Sequence, residues 1–121
     1  MYSPQLLDHF EHPRNAGTLA HPHATARIEN PACGDILEFT ANFADGHIAQ
    51  IRFRAKGCVA SMACASALTE LVQGKTLAEA RRIGRDDLIR AVAGLPPASA
   101  HASHLAMDAL ESILKQFPGE V

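Results

Sequence analysis

The chain has few aromatic residues, no tryptophan and no long hydrophobic run, and each absence excludes a class of protein. Aromatic side chains occupy 5% of the 121 positions, so the core has to be built from aliphatic and small residues. No stretch approaches the roughly 20 apolar residues that a membrane-spanning helix needs. The first residues do not resemble a signal peptide either, and we therefore expect a cytoplasmic protein.

Charge and cysteine are also scarce. The 11 lysines and arginines are outnumbered by 13 aspartates and glutamates, which gives a formal net charge of −2 at pH 7. Without a basic excess, the sequence gives no indication of binding to nucleic acid or to a membrane surface. Three cysteines make an odd number without the spacing of a disulfide framework, which favours reduced thiols used for chemistry or packing. We expect protein or metal partners.

The first half of the chain predicts one helix followed by a sheet. Ser3 and Pro4 are typical of a helix N-cap and first turn, so they predict a short N-terminal helix. Apolar and polar residues then alternate between residues 24 and 54, with a typical hairpin turn at Asp45-Gly46. This period of two predicts a three-stranded antiparallel sheet.

The second half of the chain has helical periodicity. A long helix is predicted after Gly57 and ends at Gly74, a residue type that commonly follows a helix. Three further helices are predicted over residues 76–83, 85–93 and 99–117. Because strands come first and helices follow, we predict an α+β fold with the helices packed on one face of the sheet, in a single domain spanning residues 1–121.

Four residues with metal-binding side chains lie at the ends of these elements. Cys33 and Asp35 belong to a turn ahead of a strand, where Gly34 lets the backbone fold closely. Cys58 begins the long helix, where free backbone N–H groups and the helix dipole favour a thiolate, and His101 begins the last helix. Two sulfurs, a nitrogen and an oxygen suit tetrahedral zinc or, with adjustment, an iron centre. The alternative is that these are packing cysteines, a capping aspartate and a hydrogen-bonded histidine without metal.

Four stretches of the sequence form a recognisable series: "MYSPQLLDHFEHPRNAGTL", "NPACGD", "FRAKGCVASMACASALTELVQGKTLAEA" and "GLPPASAHASHLAMDAL". In their order and at nearly their spacing, they resemble the IscU/NifU N-terminal-domain family of iron–sulfur cluster scaffolds. The resemblance implies a non-enzymatic α+β scaffold that receives sulfur from a cysteine desulfurase, assembles a [2Fe–2S] cluster and passes it to acceptor apo-proteins. It also implies Cys33, Asp35, Cys58 and His101 as the residues that hold iron, the cluster or zinc.

One departure from the family pattern affects the ligand set. The family has a third cysteine after the histidine, whereas His101 is followed here by Ala102. Cys64 does not replace it, because six helical residues separate it from Cys58 by about 9 Å along the axis and about 120° around it. We therefore expect Cys64 in the core, and we keep His104 as a reserve ligand.

A second departure affects a partner. Scaffolds of the Isc type carry "LPPVK", the segment grasped by an Hsp70-type chaperone, whereas this chain reads "LPPAS". Three hypotheses remain: a scaffold that builds a labile cluster, a zinc-binding sulfur acceptor or desulfurase partner without cluster assembly, and a non-catalytic interaction domain.

Overall fold

The structure is a computed structural model, and it describes residues 1–32 and 34–117. In chain order the elements are α1 (Pro4–Glu11), β1 (Ala24–Glu29), β2 (Ile36–Ala44), β3 (His47–Lys56), α2 (Val59–Val72), α3 (Leu77–Arg81), α4 (Arg85–Ala91), a 3-10 helix (Pro97–Ser99) and α5 (Ala100–Lys115). The predicted α+β fold with a short N-terminal helix is confirmed. The organisation as a single domain stays a prediction.

The three strands form one antiparallel sheet in the order β1-β2-β3. β2 and β3 are joined at Asp45 and Gly46, both of which have positive φ angles (53° and 75°), as the favoured two-residue hairpin turns require. The inward-facing residues of β2 are buried, as their alternation predicts, and they are Leu37, Phe39, Ala41 and Phe43. The sheet therefore has one apolar face that must be covered.

Two long helices cover that face. α2 packs against β3 and also against α1, while α5 packs against β1 and β2. α2 is rich in alanine and serine and is buried along most of its length, and small side chains of this kind allow close approach to its neighbours. The sheet's apolar face and these helices form the core.

The ends of the helices agree with their predicted caps. Ser3 is the N-cap of α1, and its hydroxyl accepts the backbone N–H of Leu6 at 2.9 Å. Beyond α2, Gly74 has a φ of 85°, in the left-handed region that ends many helices. α3, α4 and α5 are each shorter than predicted, because Thr76 and Ser99 are N-caps and the last two predicted residues of each helix lie in turns or irregular backbone.

Within the described ranges, none of the helices combines the length and apolar character that crossing a membrane requires.

Candidate metal centre

Three of the four predicted site residues lie together where three elements begin. Asp35 immediately precedes β2, Cys58 is the N-cap of α2, and His101 lies in the first turn of α5. One ligand atom from each of the three residues lies within 4.8 Å of the ligand atoms of the other two. Residues separated by 23 and 43 positions in the sequence thus form one cluster of oxygen, sulfur and nitrogen donors.

Asp35 is at the buried side of this cluster, with an exposure of 4%. Its Oδ1 accepts the backbone N–H of Cys58 at 3.3 Å. Its Oδ2 accepts the hydroxyl of Ser61 at 2.6 Å and the thiol of Cys58 at 3.2 Å, and it lies 3.4 Å from Nε2 of His101. Both carboxylate oxygens therefore accept hydrogen bonds from the protein.

Gly57 makes room for this carboxylate. A Cβ atom at position 57 would lie 2.1 Å from Oδ1 of Asp35, far inside van der Waals contact. The φ angle of Gly57 is 144°, a value that residues with a side chain rarely adopt. Glycine is therefore needed both for the backbone conformation and for the close approach of Asp35.

The environment of Asp35 favours its ionised form. Burial raises the pKa of the carboxyl group, but the hydrogen bonds donated by Ser61 and Cys58 outweigh burial, and the pKa of Asp35 lies below its usual value. An ionised carboxylate is the form that binds a metal cation. At neutral pH Asp35 is ready to act as a ligand.

Cys58 is held by the start of α2. Its Sγ accepts the backbone N–H of Ser61 at 3.4 Å, which is the usual contact of an N-cap side chain with the third residue of a helix. The same sulfur lies 3.7 Å from Nε2 of His101. The first turn of α2 thus directs the sulfur toward the other two donors.

The cluster is open on the side of His101. The His101 side chain keeps 32% of its exposure, against 6% for that of Asp35. Beside it is a groove of about 260 Å³ lined by the end of β1, the following turn and α5, and its lining includes Asn30, His101, His104 and Asp108. His104 is exposed and lies in this groove, and it is not part of the three-residue cluster. The cluster is therefore accessible to solvent from this side.

The remaining cysteine positions differ from one another. Cys33 lies outside the described residues. Cys64 is fully buried, and burial raises the pKa of its thiol to about 12, so the expectation that it belongs to the core is confirmed. Ala102 is also fully buried at the start of α5. The assignment of Cys33, Asp35, Cys58 and His101 as ligands stays a prediction.

Ser61 is a neighbour of the cluster that the sequence did not single out. It is 1% exposed, and its hydroxyl contacts both Asp35 and Cys58. Its spacing gave a signal, because the third residue after an N-cap faces the cap side chain. A serine three positions after a candidate ligand at a helix start was therefore identifiable from the sequence.

The fold and the cluster define a class: a small α+β domain with cysteine, aspartate and histidine gathered at the starts of a strand and two helices. The sequence profile described as "NifU-like N terminal domain" matches residues 1–121. The chain belongs to this family.

Individual relatives agree with that membership. The chain is 38% identical over 117 residues to "Iron-sulfur cluster assembly scaffold protein IscU 1" of Archaeoglobus fulgidus. The aligned region covers 97% of this chain and 76% of the relative. It is 36% identical over 118 residues to the protein named "Iron-sulfur cluster assembly scaffold protein IscU" of Aquifex aeolicus, covering 96% and 75%. The crystal structure of a NifU-like N-terminal protein from Brucella abortus has the same fold, with a TM-score of 0.80 at 20% identity over 98% of this chain and 95% of that one.

Proposed function

We propose that this protein is a scaffold for iron–sulfur cluster assembly and not an enzyme. In this proposal it binds iron, accepts sulfur from a cysteine desulfurase, holds a [2Fe–2S] cluster as cargo and transfers it to acceptor apo-proteins in the cytoplasm. The observation that carries the proposal is the gathering of Asp35, Cys58 and His101 ligand atoms within 4.8 Å in a member of the NifU-like family. Relatives at 36% and 38% identity that are named as scaffolds support it.

The proposed ligand set is Cys33, Asp35, Cys58 and His101. Cys33 is retained because it lies two residues from Asp35 in the sequence. [2Fe–2S] clusters are usually held by four thiolates, or by two thiolates and two histidines. A set with two thiolates, one imidazole and one carboxylate holds a cluster more weakly, which suits a cargo that has to leave.

Sulfur delivery is proposed to use Cys58 or Cys33. Ala102, at the position of the third family cysteine, has no thiol. Cys64 is excluded as an acceptor because its thiol is buried and its pKa is raised to about 12, and the thiolate is the nucleophile in sulfur transfer. Cys58 is half-buried at a helix start, where its sulfur accepts the backbone N–H of Ser61 and is partly exposed to solvent.

A zinc-binding sulfur acceptor, working with a desulfurase without building a cluster, is the second candidate. The observation in its favour is the donor chemistry, because sulfur, nitrogen and oxygen donors near one another suit tetrahedral zinc. An interaction domain without bound metal is the third. A chaperone of the Hsp70 type stays a possible partner on the "LPP" segment only, since the valine and lysine of the family segment are absent.

Anaerobic reconstitution distinguishes these candidates. The protein is given ferrous iron, cysteine, a cysteine desulfurase and dithiothreitol, and the visible absorbance is followed before and after an apo-ferredoxin is added. A scaffold develops the absorption of a [2Fe–2S] cluster and loses it to the ferredoxin. A colourless protein with one tightly bound zinc per chain supports the second candidate, and a protein without stoichiometric metal supports the third.

Ala102→Cys tests whether the missing thiolate limits the cluster. The substitution adds one sulfur atom at a buried position where the family has cysteine, and we expect the variant to assemble the cluster faster and hold it longer than the parent. Ala106→Cys, one turn further along α5 and also fully buried, is the control for a new thiol that is not at the family position. Equal cluster lifetimes in the parent and in Ala102→Cys would mean that the third thiolate is not limiting.

A further inference from the structure

We infer that Ser61 is a positioning residue of the metal centre, whose hydroxyl fixes the carboxylate of Asp35 in the orientation that binds metal. The inference rests on the proposed function, because it takes Asp35, Cys58 and His101 to be ligands. It concerns a residue that is itself neither a cysteine, a histidine nor a carboxylate.

The contacts of Ser61 reach two of the three donors. The hydroxyl of Ser61 donates to Oδ2 of Asp35 at 2.6 Å, and the Oγ of Ser61 lies 3.3 Å from Sγ of Cys58. Its backbone N–H donates to that sulfur at 3.4 Å. Ser61 is 1% exposed, so these contacts are shielded from bulk solvent. One buried residue in the first turn of α2 therefore holds both a carboxylate and a thiol.

The hydrogen bond from Ser61 restricts rotation of the Asp35 carboxylate. Oδ1 is held by the backbone N–H of Cys58 and Oδ2 by the hydroxyl of Ser61, so the plane of the carboxylate is fixed at both oxygens. A carboxylate oxygen has two lone-pair directions, and the hydroxyl of Ser61 uses one of those on Oδ2. The other faces Cys58 and His101, where Oδ2 accepts the thiol of Cys58 at 3.2 Å and lies 3.4 Å from Nε2 of His101, and a metal ion bound by the deprotonated thiol would take the place of that thiol proton.

Loss of the hydroxyl is expected to lower metal affinity. Hydrogen-bond partners of metal ligands orient those ligands, and their removal typically costs about 10- to 100-fold in affinity. Ser61→Ala leaves Oδ2 without its shortest hydrogen bond and frees the carboxylate to turn about its Oδ1 contact. Ser61→Thr keeps the hydroxyl and should restore much of the affinity.

Ser66→Ala is a matched control in the same helix. Ser66 is fully buried and its hydroxyl lies 2.8 Å from Nδ1 of His9 and accepts the backbone N–H of Arg14 at 2.8 Å. Its removal deletes a buried serine hydroxyl of α2 that does not touch the metal centre. If a loss of stability alone lowers zinc affinity, Ser66→Ala should therefore lower it as much as Ser61→Ala does.

The experiment measures zinc affinity by competition with a chromophoric chelator, the visible spectrum of the cobalt-substituted protein, and thermal unfolding of the metal-free protein. We expect Ser61→Ala to bind zinc about 10- to 100-fold more weakly with an altered cobalt spectrum. Ser61→Thr should recover at least part of that affinity, and Ser66→Ala should bind zinc as the parent does.

Three results overturn the inference, and they separate it from the proposed function. Equal zinc affinity and cobalt spectra in the parent and Ser61→Ala reject the role of Ser61 and leave the proposed function standing. Equal losses in Ser61→Ala and Ser66→Ala attribute the effect to general destabilisation and also reject it. A parent that binds neither zinc nor cobalt rejects the metal centre, and with it both the proposed function and the role of Ser61.

Discussion

Replacing Gly57 with alanine would place a new Cβ atom against the carboxylate of Asp35 in the candidate metal centre. The new Cβ atom would lie 2.1 Å from Oδ1 and 2.5 Å from Cγ of Asp35. Ordinary van der Waals contact begins at 3.4 Å, so the carboxylate has to move by more than an ångström. Since Asp35 is held by Cys58 and Ser61, that movement breaks or lengthens its hydrogen bonds.

Two costs make up the expected loss of stability. An alanine held at a φ of 144° costs of the order of 1–3 kcal/mol in backbone strain. Depriving a buried carboxylate of a hydrogen-bond partner costs about another 1–3 kcal/mol. The sum, roughly 2–6 kcal/mol, is a large part of the 5–15 kcal/mol that stabilises a typical domain.

Urea unfolding of the metal-free protein at neutral pH measures this loss, and zinc competition measures the effect on the site. Gly74→Ala is the matched control, because Gly74 also has a positive φ, of 85°, but a Cβ atom there meets nothing within 4 Å. We expect the control to lose about 1–2 kcal/mol, the usual cost of a left-handed residue, without change in zinc affinity. Gly57→Ala should lose more stability and bind zinc more weakly.

A double-mutant cycle with Asp35→Ala decides whether the collision is the cause. Shortening Asp35 removes Oδ1 and Cγ, the two atoms that the new Cβ would approach most closely. The cost of Gly57→Ala should then fall by more than 1 kcal/mol, as is usual for residues in contact. An identical cost of Gly57→Ala in both backgrounds would refute the steric argument.

Two further predictions concern the buried thiol and a buried histidine. Cys58→Ser should abolish most zinc binding. Cys64→Ser should keep zinc binding but lower the free energy of unfolding in urea by about 1–3 kcal/mol, because it buries a hydroxyl in an apolar environment. Equal zinc loss from both variants would contradict the placement of Cys64 in the core. Burial, aided by the nearby charge of Arg14, lowers the pKa of His9 below 6.5. The unfolded chain therefore binds a proton that the folded protein excludes, and the free energy of unfolding should fall as pH drops below 6.5, levelling off below the folded-state pKa. His9→Gln should flatten this dependence, as urea midpoints between pH 5 and 8 will show. An unchanged slope in His9→Gln would rule out His9 as the source.

Much of the fold was predictable because its signals are local. The cap at Ser3, the turn at Asp45-Gly46 and the helix end at Gly74 each follow from the residue type and its immediate neighbours. The 3-10 helix at Pro97–Ser99 was not predicted, since three residues show no periodicity. The observed ends of the last three helices also lie inside the predicted ones, because terminal turns depend on packing as well as sequence.

The candidate site was predictable only in part, and for a different reason. Asp35, Cys58 and His101 have metal-binding side chains at the ends of elements, where distant parts of a chain meet, and the structure brings these three together. Apart from the local contact between Cys58 and Ser61, the supporting contacts are long-range and are made by residue types that are common in any protein. Nothing in the sequence near Gly57 indicates that Asp35, 22 positions earlier, lies against it.

The same limit applies to the contact between α1 and α2. His9 is 6% exposed and bonds to Ser66, 57 positions later in the chain, while Glu70 lies 3.7 Å from its other ring nitrogen. In the sequence, His9 is one polar residue on a short helix and Glu70 an ordinary surface charge. Only the packing of α1 on α2 buries His9 and brings the exposed Glu70 close to its ring.

The hydrogen bonds of Asp35 bear on how a scaffold of the proposed kind would release its cargo. Many small metal-binding domains fold only when the metal is bound, because a preformed site rarely exists in the unfolded chain. Here the carboxylate accepts hydrogen bonds from Cys58 and Ser61, and among the described residues no buried side-chain nitrogen or oxygen lacks a partner. Under the proposed function, Asp35 keeps protein hydrogen-bond donors for both oxygens, so release of a cluster would not leave a buried carboxylate unpaired. An exchangeable carboxylate ligand with this support would meet the two requirements of the proposed scaffold, which are to bind a cluster and to survive its departure.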